Sequence, residues 1–182
     1  MFSLLTTYIK MKLKLIVFAL IAMFSVAGYA DSKKKKDKVY KYELVCAKGG
    51  AQSKDKNYKV VKVYSYGKKQ EDAREACQQN AVHGILFKGY AGEGADSGMK
   101  ALCPEGYESN KAYFDDFFEN GYWRQYVQLT NNGAIAPGDM IKVDKKEYKV
   151  GMLVTINVAE LRKRLEKDGI IKSMNSFFQK QN

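Results

Sequence analysis

The chain has 182 residues, with 31 Lys and Arg against 20 Asp and Glu, and it is 46% apolar and 13% aromatic. Those proportions are enough to build a core, and they exclude collagen-like, acidic disordered and multi-cysteine scaffolds. Two Pro exclude a proline-rich linker, and a single His leaves little room for a His-based metal cage.

Residues 1–30 carry three Lys and no acid, and the run Leu15–Gly28 is apolar throughout. It follows Lys12 and Lys14 and ends in Gly28-Tyr29-Ala30, with small residues at both positions a signal peptidase inspects. At about 14 residues it is shorter than the ~20 that a spanning helix needs, so it reads as a cleaved secretory signal. Met11 offers an alternative start to Met1. The expected location is the periplasm or the medium, with a mature chain over 31–182. Loss of three Lys leaves 28 basic and 20 acidic residues, a charge of +8. Residues 31–38 hold five Lys and two Asp, and such a tract reads as a disordered tail. It serves as a solvated spacer or as an arm for an anionic surface.

The single domain is expected over 39–182. Val39–Cys46 alternates as a strand, and Tyr58–Tyr66 is β-branched and aromatic almost throughout, so the two predict an antiparallel hairpin. Gln70–His83 predicts a helix with Ala73, Ala76, Cys77 and Ala81 on one small-residue face, closed by His83 and a Gly84 cap. Ile85–Tyr90 predicts a short apolar strand or a helix-to-strand transition. Ala91–Gly106 reads as a Gly-rich loop. Ser109–Asn120 predicts an aromatic helix capped by Ser109, and Tyr122–Thr130 a long strand. Asn131-Asn132-Gly133 and Pro137-Gly138 are turn signals. Met140–Val143 and Tyr148–Asn157 predict strands joined at Asp144. Val158–Asp168 predicts an amphipathic helix with Leu161 and Leu165 inward and a Gly169 cap. The order predicts an α+β fold: a mainly antiparallel sheet with two or three helices on one face.

The stretch Lys59–Val82, with Ala73, Ala76 and Ala81, and the stretch Tyr148–Leu165 resemble the small α/β domain in the amino-terminal region of flagellar assembly protein T and in small outer-membrane lipoproteins. These stretches cover about 42 residues, and the lipid-acceptor Cys of the lipoproteins is missing. The chain as a whole resembles secreted proteins of Gram-negative bacteria. The resemblance implies an envelope domain with a binding or assembly role and carries over no functional residue.

Catalytic patterns are sparse. Cys46, Cys77 and Cys103 allow three disulfide pairings, and Cys77 fits a buried helix face as a small hydrophobe. His83 suits the carbonyl end of its helix better than a catalytic task. Glu93 and Asp96 lack calcium-loop spacing, so no metal or cofactor is expected. Seven aromatics fall within 113–126, and two neighbouring phenylalanines on one helix suggest that some face outward. Phe117, Phe118, Trp123 and Arg124 are therefore the candidate contact surface, for an envelope protein or an anionic polymer. Lys59, Lys62, Lys142, Lys146 and Lys149 read as a guard on sheet edges. The charge suits nucleic acid, but no recognised module is present and none is expected as a partner. The alternative is a small hydrolytic or thiol-dependent enzyme using Cys103 or the group Asp115, Asp116 and Glu119.

Overall fold

Alternating β-branched and apolar residues put one side of each strand into a core, and the register of the main sheet follows from that alternation. The computed structural model describes residues 39–47 and 55–173. The expectations for residues 1–38, the signal and the Lys-rich tail, lie outside them. β1 (Tyr42–Cys46) pairs antiparallel with β2 (Tyr58–Gly67), and β2 pairs antiparallel with β7 (Glu147–Asn157) along its whole length. The far side of β7 is shared end to end by β5 (Val127–Leu129) and β6 (Met140–Asp144). The fold is α+β, as expected, with an antiparallel sheet in the order β1-β2-β7-β5 and β6 alongside β7.

Register assigns the faces. Val61 opposes Val154, Val63 opposes Met152 and Ser65 opposes Val150, and all six are buried under the helices. On the other face Lys62 opposes Leu153, Tyr64 opposes Gly151 and Tyr66 opposes Lys149.

Helix α1 (Gln70–Phe87) lies on the buried face through Ala73, Cys77 and Ala81, whose short side chains let helix and sheet approach closely. It runs one turn beyond the expected end at His83. Gly84 is not a cap: it faces β1, where a Cβ would sit 2.6 Å from Leu44 Cδ2. The terminator is Gly89, at φ 67°, whose N–H donates to the Gly84 carbonyl at 2.8 Å. The residues expected as a strand after His83 are therefore largely helix. The expected Gly-rich loop holds a hairpin, β3 (Tyr90–Glu93) with β4 (Asp96–Met99). Strands this short carry too few residues for alternation to register.

Helix α2 (Lys111–Glu119) follows a 3-10 turn over Glu108–Asn110. Ser109 does not cap it; its hydroxyl donates to the Glu105 carbonyl at 2.8 Å. Gly121, at φ 72°, turns the chain into a second 3-10 turn, Tyr122–Tyr126, where a strand was expected. Trp123 and Tyr126 both point inward, and their three-residue spacing fits three residues per turn rather than strand alternation. Helix α3 (Val158–Lys167) is capped by the Asn157 side chain, which accepts from the Glu160 N–H at 3.1 Å, and buries Leu161 and Leu165. No helix among the described residues is long and apolar enough to cross a membrane.

Candidate functional site

The aromatics of segment 113–126 that were expected to face outward are core. Phe117 is 1% exposed, Phe118 5% and Trp123 2%. Phe114, Phe117 and Phe118 follow the i, i+3, i+4 spacing of one apolar stripe, and a stripe of that width takes adjacent residues. Phe117 meets Phe118 edge-on at 5.3 Å and Tyr126 in a stack at 6.1 Å. Of the four candidate contact residues only Arg124 remains on the surface. It lies over the Trp123 ring at 4.8 Å and pairs with Glu75 at 2.5 Å.

The groups named for catalysis are dispersed. All three cysteines are free and buried, so the invited disulfide is absent. Burial pushes the thiols of Cys77 and Cys103 up to about 11, which leaves almost no thiolate at neutral pH. Cys77 Sγ donates to the Val63 and Val150 carbonyls at 3.5 and 3.3 Å, binding helix to sheet. Asp115 accepts from the Tyr107 hydroxyl at 2.8 Å and pairs with Lys111, and Asp116 accepts from Asn120 Nδ2 at 2.6 Å. Glu119 acts on Tyr107 and Tyr40 through its charge.

His83 is neither exposed nor at a helix end. Its ring stacks on Tyr40 at 3.7 Å and packs near Phe87, Tyr107 and Phe118, with Nδ1 2.8 Å from the Tyr42 hydroxyl. Desolvation in this cluster pushes Tyr40 up to about 12 and Tyr42 up as well.

Asp96 is a polar centre that the sequence did not single out as one. It starts β4 and is buried. It accepts from the Gly98 N–H at 2.9 Å, from the Tyr90 hydroxyl at 3.0 Å and from Cys46 Sγ at 3.4 Å, with Lys59 Nζ at 3.6 Å. Burial opposes its charge, but those partners together hold its carboxyl below the ordinary range. Burial and the Asp96 charge push the Cys46 thiol up, away from the nucleophilic form. A cleft of about 260 Å³ lined by Asp55, Tyr58, Lys59, Ala95, Asp96 and Ser97 borders this centre. Asp96 aims its oxygens at the hairpin and β1, so the arrangement fastens β3–β4 to the end of the sheet. Among the described residues no three metal-ligating side chains gather.

The sheet face without helices is the other polar surface. Lys62 and Lys149 belong here, in central strands, not on the edges where they were expected. Lys62 Nζ donates to Asp139 at 2.7 Å, Lys149 to Glu43 at 2.8 Å and Lys41 to Glu147 at 3.0 Å. The ammonium groups also lie over tyrosine rings: Lys41 at 4.1 Å from Tyr66, Lys149 at 4.9 Å from Tyr64. The Tyr64 ring covers Gly151 on the neighbouring strand, where a Cβ would come within 2.5 Å of it. Each of the three cations thus has its own carboxylate.

Beside this face runs β6, all five of whose residues are exposed, Ile141 at 50% and Val143 at 51%. Three of the six large apolar residues exposed in the described chain lie on it: Met140, Ile141 and Val143. The alternation of the strand was legible in sequence; its lack of a covering layer was not. Comparison with protein-family models, curated proteins and solved structures returns no match.

Proposed function

We propose that the protein is an exported, non-catalytic binding or assembly component of the bacterial cell envelope, whose partner is an envelope protein or an anionic polymer. One observation carries the binding role. The thiols, the imidazole and the buried carboxylate all serve internal contacts, whereas exposed apolar side chains concentrate on one sheet edge at Met140, Ile141 and Val143. The envelope assignment rests on the pattern of residues 1–30 and on the resemblance of Lys59–Val82 and Tyr148–Leu165 to envelope domains. In this reading the contact surface is the β6 edge rather than the aromatic residues of 113–126, most of which are buried.

The test is expression of the full chain with a carboxy-terminal tag in a Gram-negative host, followed by fractionation. A shortened product in the periplasm or medium is expected. An unprocessed chain held in the cytoplasm overturns the reading. So does a turnover on ester or thiol substrates that disappears in Cys103→Ser or Asp115→Asn while the far-UV spectrum is unchanged.

A further inference from the structure

We infer that β6 is a docking edge for an extended acidic segment of a partner protein, which adds to the sheet as a further strand. The inference rests on the binding reading above and supplies its partner chemistry.

A strand with one ladder neighbour leaves alternate N–H and C=O groups pointing away from the sheet. β6 pairs only with β7 among the described residues. At the opposite edge of the sheet the β3–β4 hairpin meets the end of β1 through the Cys46–Asp96 contact. β5 is a three-residue strand that runs straight into a 3-10 turn. Among the described residues β6 is the edge strand with the most exposed apolar side chains, Met140, Ile141 and Val143.

Charge selects the occupant. Two of the acids around β6 are held in ion pairs, Asp139 with Lys62 and Glu147 with Lys41, while Asp144 accepts the N–H of Lys145 and keeps its charge. No ion pair holds Lys142, Lys145 or Lys146 among the described residues, so the hairpin presents three lysines against the one carboxylate of Asp144, a net positive charge next to an apolar strand. A second copy of the chain fits poorly. Antiparallel pairing centred on β6 sets Lys142 against Lys142, and like charges directly opposite destabilise a strand pair. A partner strand with Glu or Asp opposite Lys142 and apolar residues opposite Ile141 and Val143 removes the repulsion and covers those apolar side chains. Backbone bonds supply affinity in this mode, and alternate side chains supply specificity.

The experiment uses the full-length purified chain and a short peptide alternating Val and Glu, with a peptide alternating Val and Lys as control. Binding is read by titration, and its place by amide hydrogen exchange. The expected result is binding of the acidic peptide, weakening as salt rises, with slowed exchange over Met140–Asp144. Charge reversal in Lys142→Glu/Lys145→Glu/Lys146→Glu should weaken the acidic peptide about tenfold and let the basic peptide bind, since Lys142 faces the added strand and Lys145 and Lys146 sit in the turn at its end. The swap of preference keeps the test informative if the variant loses some stability. The inference is overturned if the acidic peptide does not bind, if protection falls elsewhere, or if charge reversal changes nothing. It is also overturned by a dimer that protects β6 without peptide, or by dextran sulfate or phosphatidylglycerol vesicles binding as well as the peptide with no protection of β6. Peptide binding by a chain that fractionation finds unexported would sink the envelope reading and leave the docking edge standing; an exported chain that ignores the peptide does the reverse.

Discussion

Removing the Asp96 carboxylate tests whether the hairpin is fastened by charge. Asp96→Asn keeps an acceptor for the Gly98 N–H, and the Tyr90 hydroxyl can turn to accept from the new amide. What it loses is the charge that strengthens the bonds at 2.9 and 3.0 Å and attracts Lys59 at 3.6 Å. Hydrogen bonds to a charged group contribute about 1.5–3 kcal/mol, and neutral ones about 0.5–1.5 kcal/mol, so the substitution should cost about 2 kcal/mol. Asp96→Ala leaves the Tyr90, Gly98 and Cys46 donors without an acceptor in a buried place and should cost about 3–5 kcal/mol. Urea unfolding followed by far-UV circular dichroism measures both. The pH dependence supplies the sharper check. Asp96 titrates lower in the folded chain than in the unfolded one, so its stabilisation is complete above the unfolded value, about 3.9 for an Asp. It disappears as pH falls through the folded value. The gap between wild type and Asp96→Asn should therefore be widest at neutral pH and close in acid. A gap under about 0.5 kcal/mol at pH 7, or one that does not change with pH, would refute the account, because ordinary surface substitutions stay within that margin.

Other perturbations separate the core from the surface. Phe117→Ala should cost about 3–5 kcal/mol in urea unfolding, as aromatic truncations in a packed core do, whereas Arg124→Ala, which removes an exposed pair with Glu75, should cost under about 1 kcal/mol. At pH 8 about one thiol in a thousand of Cys77 or Cys103 is ionised, so an aromatic disulfide reagent should label them only at the rate of opening; rapid labelling of Cys103 in the native chain would contradict the burial. Gly151→Val should displace the Tyr64 ring and cost about 1–3 kcal/mol, and the same change on a Tyr64→Ala background should cost measurably less, read as a double-mutant cycle.

The strands of the main sheet were legible because their signal is local. Tyr58–Gly67 and Glu147–Asn157 alternate over ten or more residues, and the turn at Pro137-Gly138 has its glycine at φ 88°, as the residue pair suggests. Helix α3 carried its own start, stripe and stop. What sequence alone misread depends on neighbours far along the chain. Gly84 looks like a stop because glycine caps helices, yet here it makes room for Leu44, forty residues away on β1. Tyr122–Tyr126 has strand-forming residues, but Gly121 aims it into a 3-10 turn that sends Trp123 into the core. Phe117 and Phe118 looked too many for one inward face because the number of layers around α2 is not written in its own residues. Asp96 stood in a Gly-rich segment with no periodicity, and its role needs Cys46, Lys59 and Tyr90 to be brought together. In the same way, the pattern of Met140–Asp144 gives a strand but not the fact that only β7 pairs with it among the described residues.

The two polar surfaces of the sheet differ in what association would cost. On the helix-free face each ammonium already has a carboxylate, and covering it would desolvate three ion pairs whose mutual attraction a partner cannot improve. Such a face adds little net affinity to any partner and stays in water without penalty. At β6 the balance runs the other way. The outward N–H and C=O groups exchange water for a partner's backbone at little cost, the exposed Ile141 and Val143 gain burial, and no ion pair among the described residues has to be broken at Lys142, Lys145 or Lys146. Charge near the edge therefore acts on the choice of partner, and apolar contact with backbone pairing acts on how tightly it holds. Neutralising Lys142 alone should for that reason relax discrimination between acidic and basic strands more than it weakens the preferred one, and a variant that lost affinity for both equally would place the binding energy somewhere other than this edge.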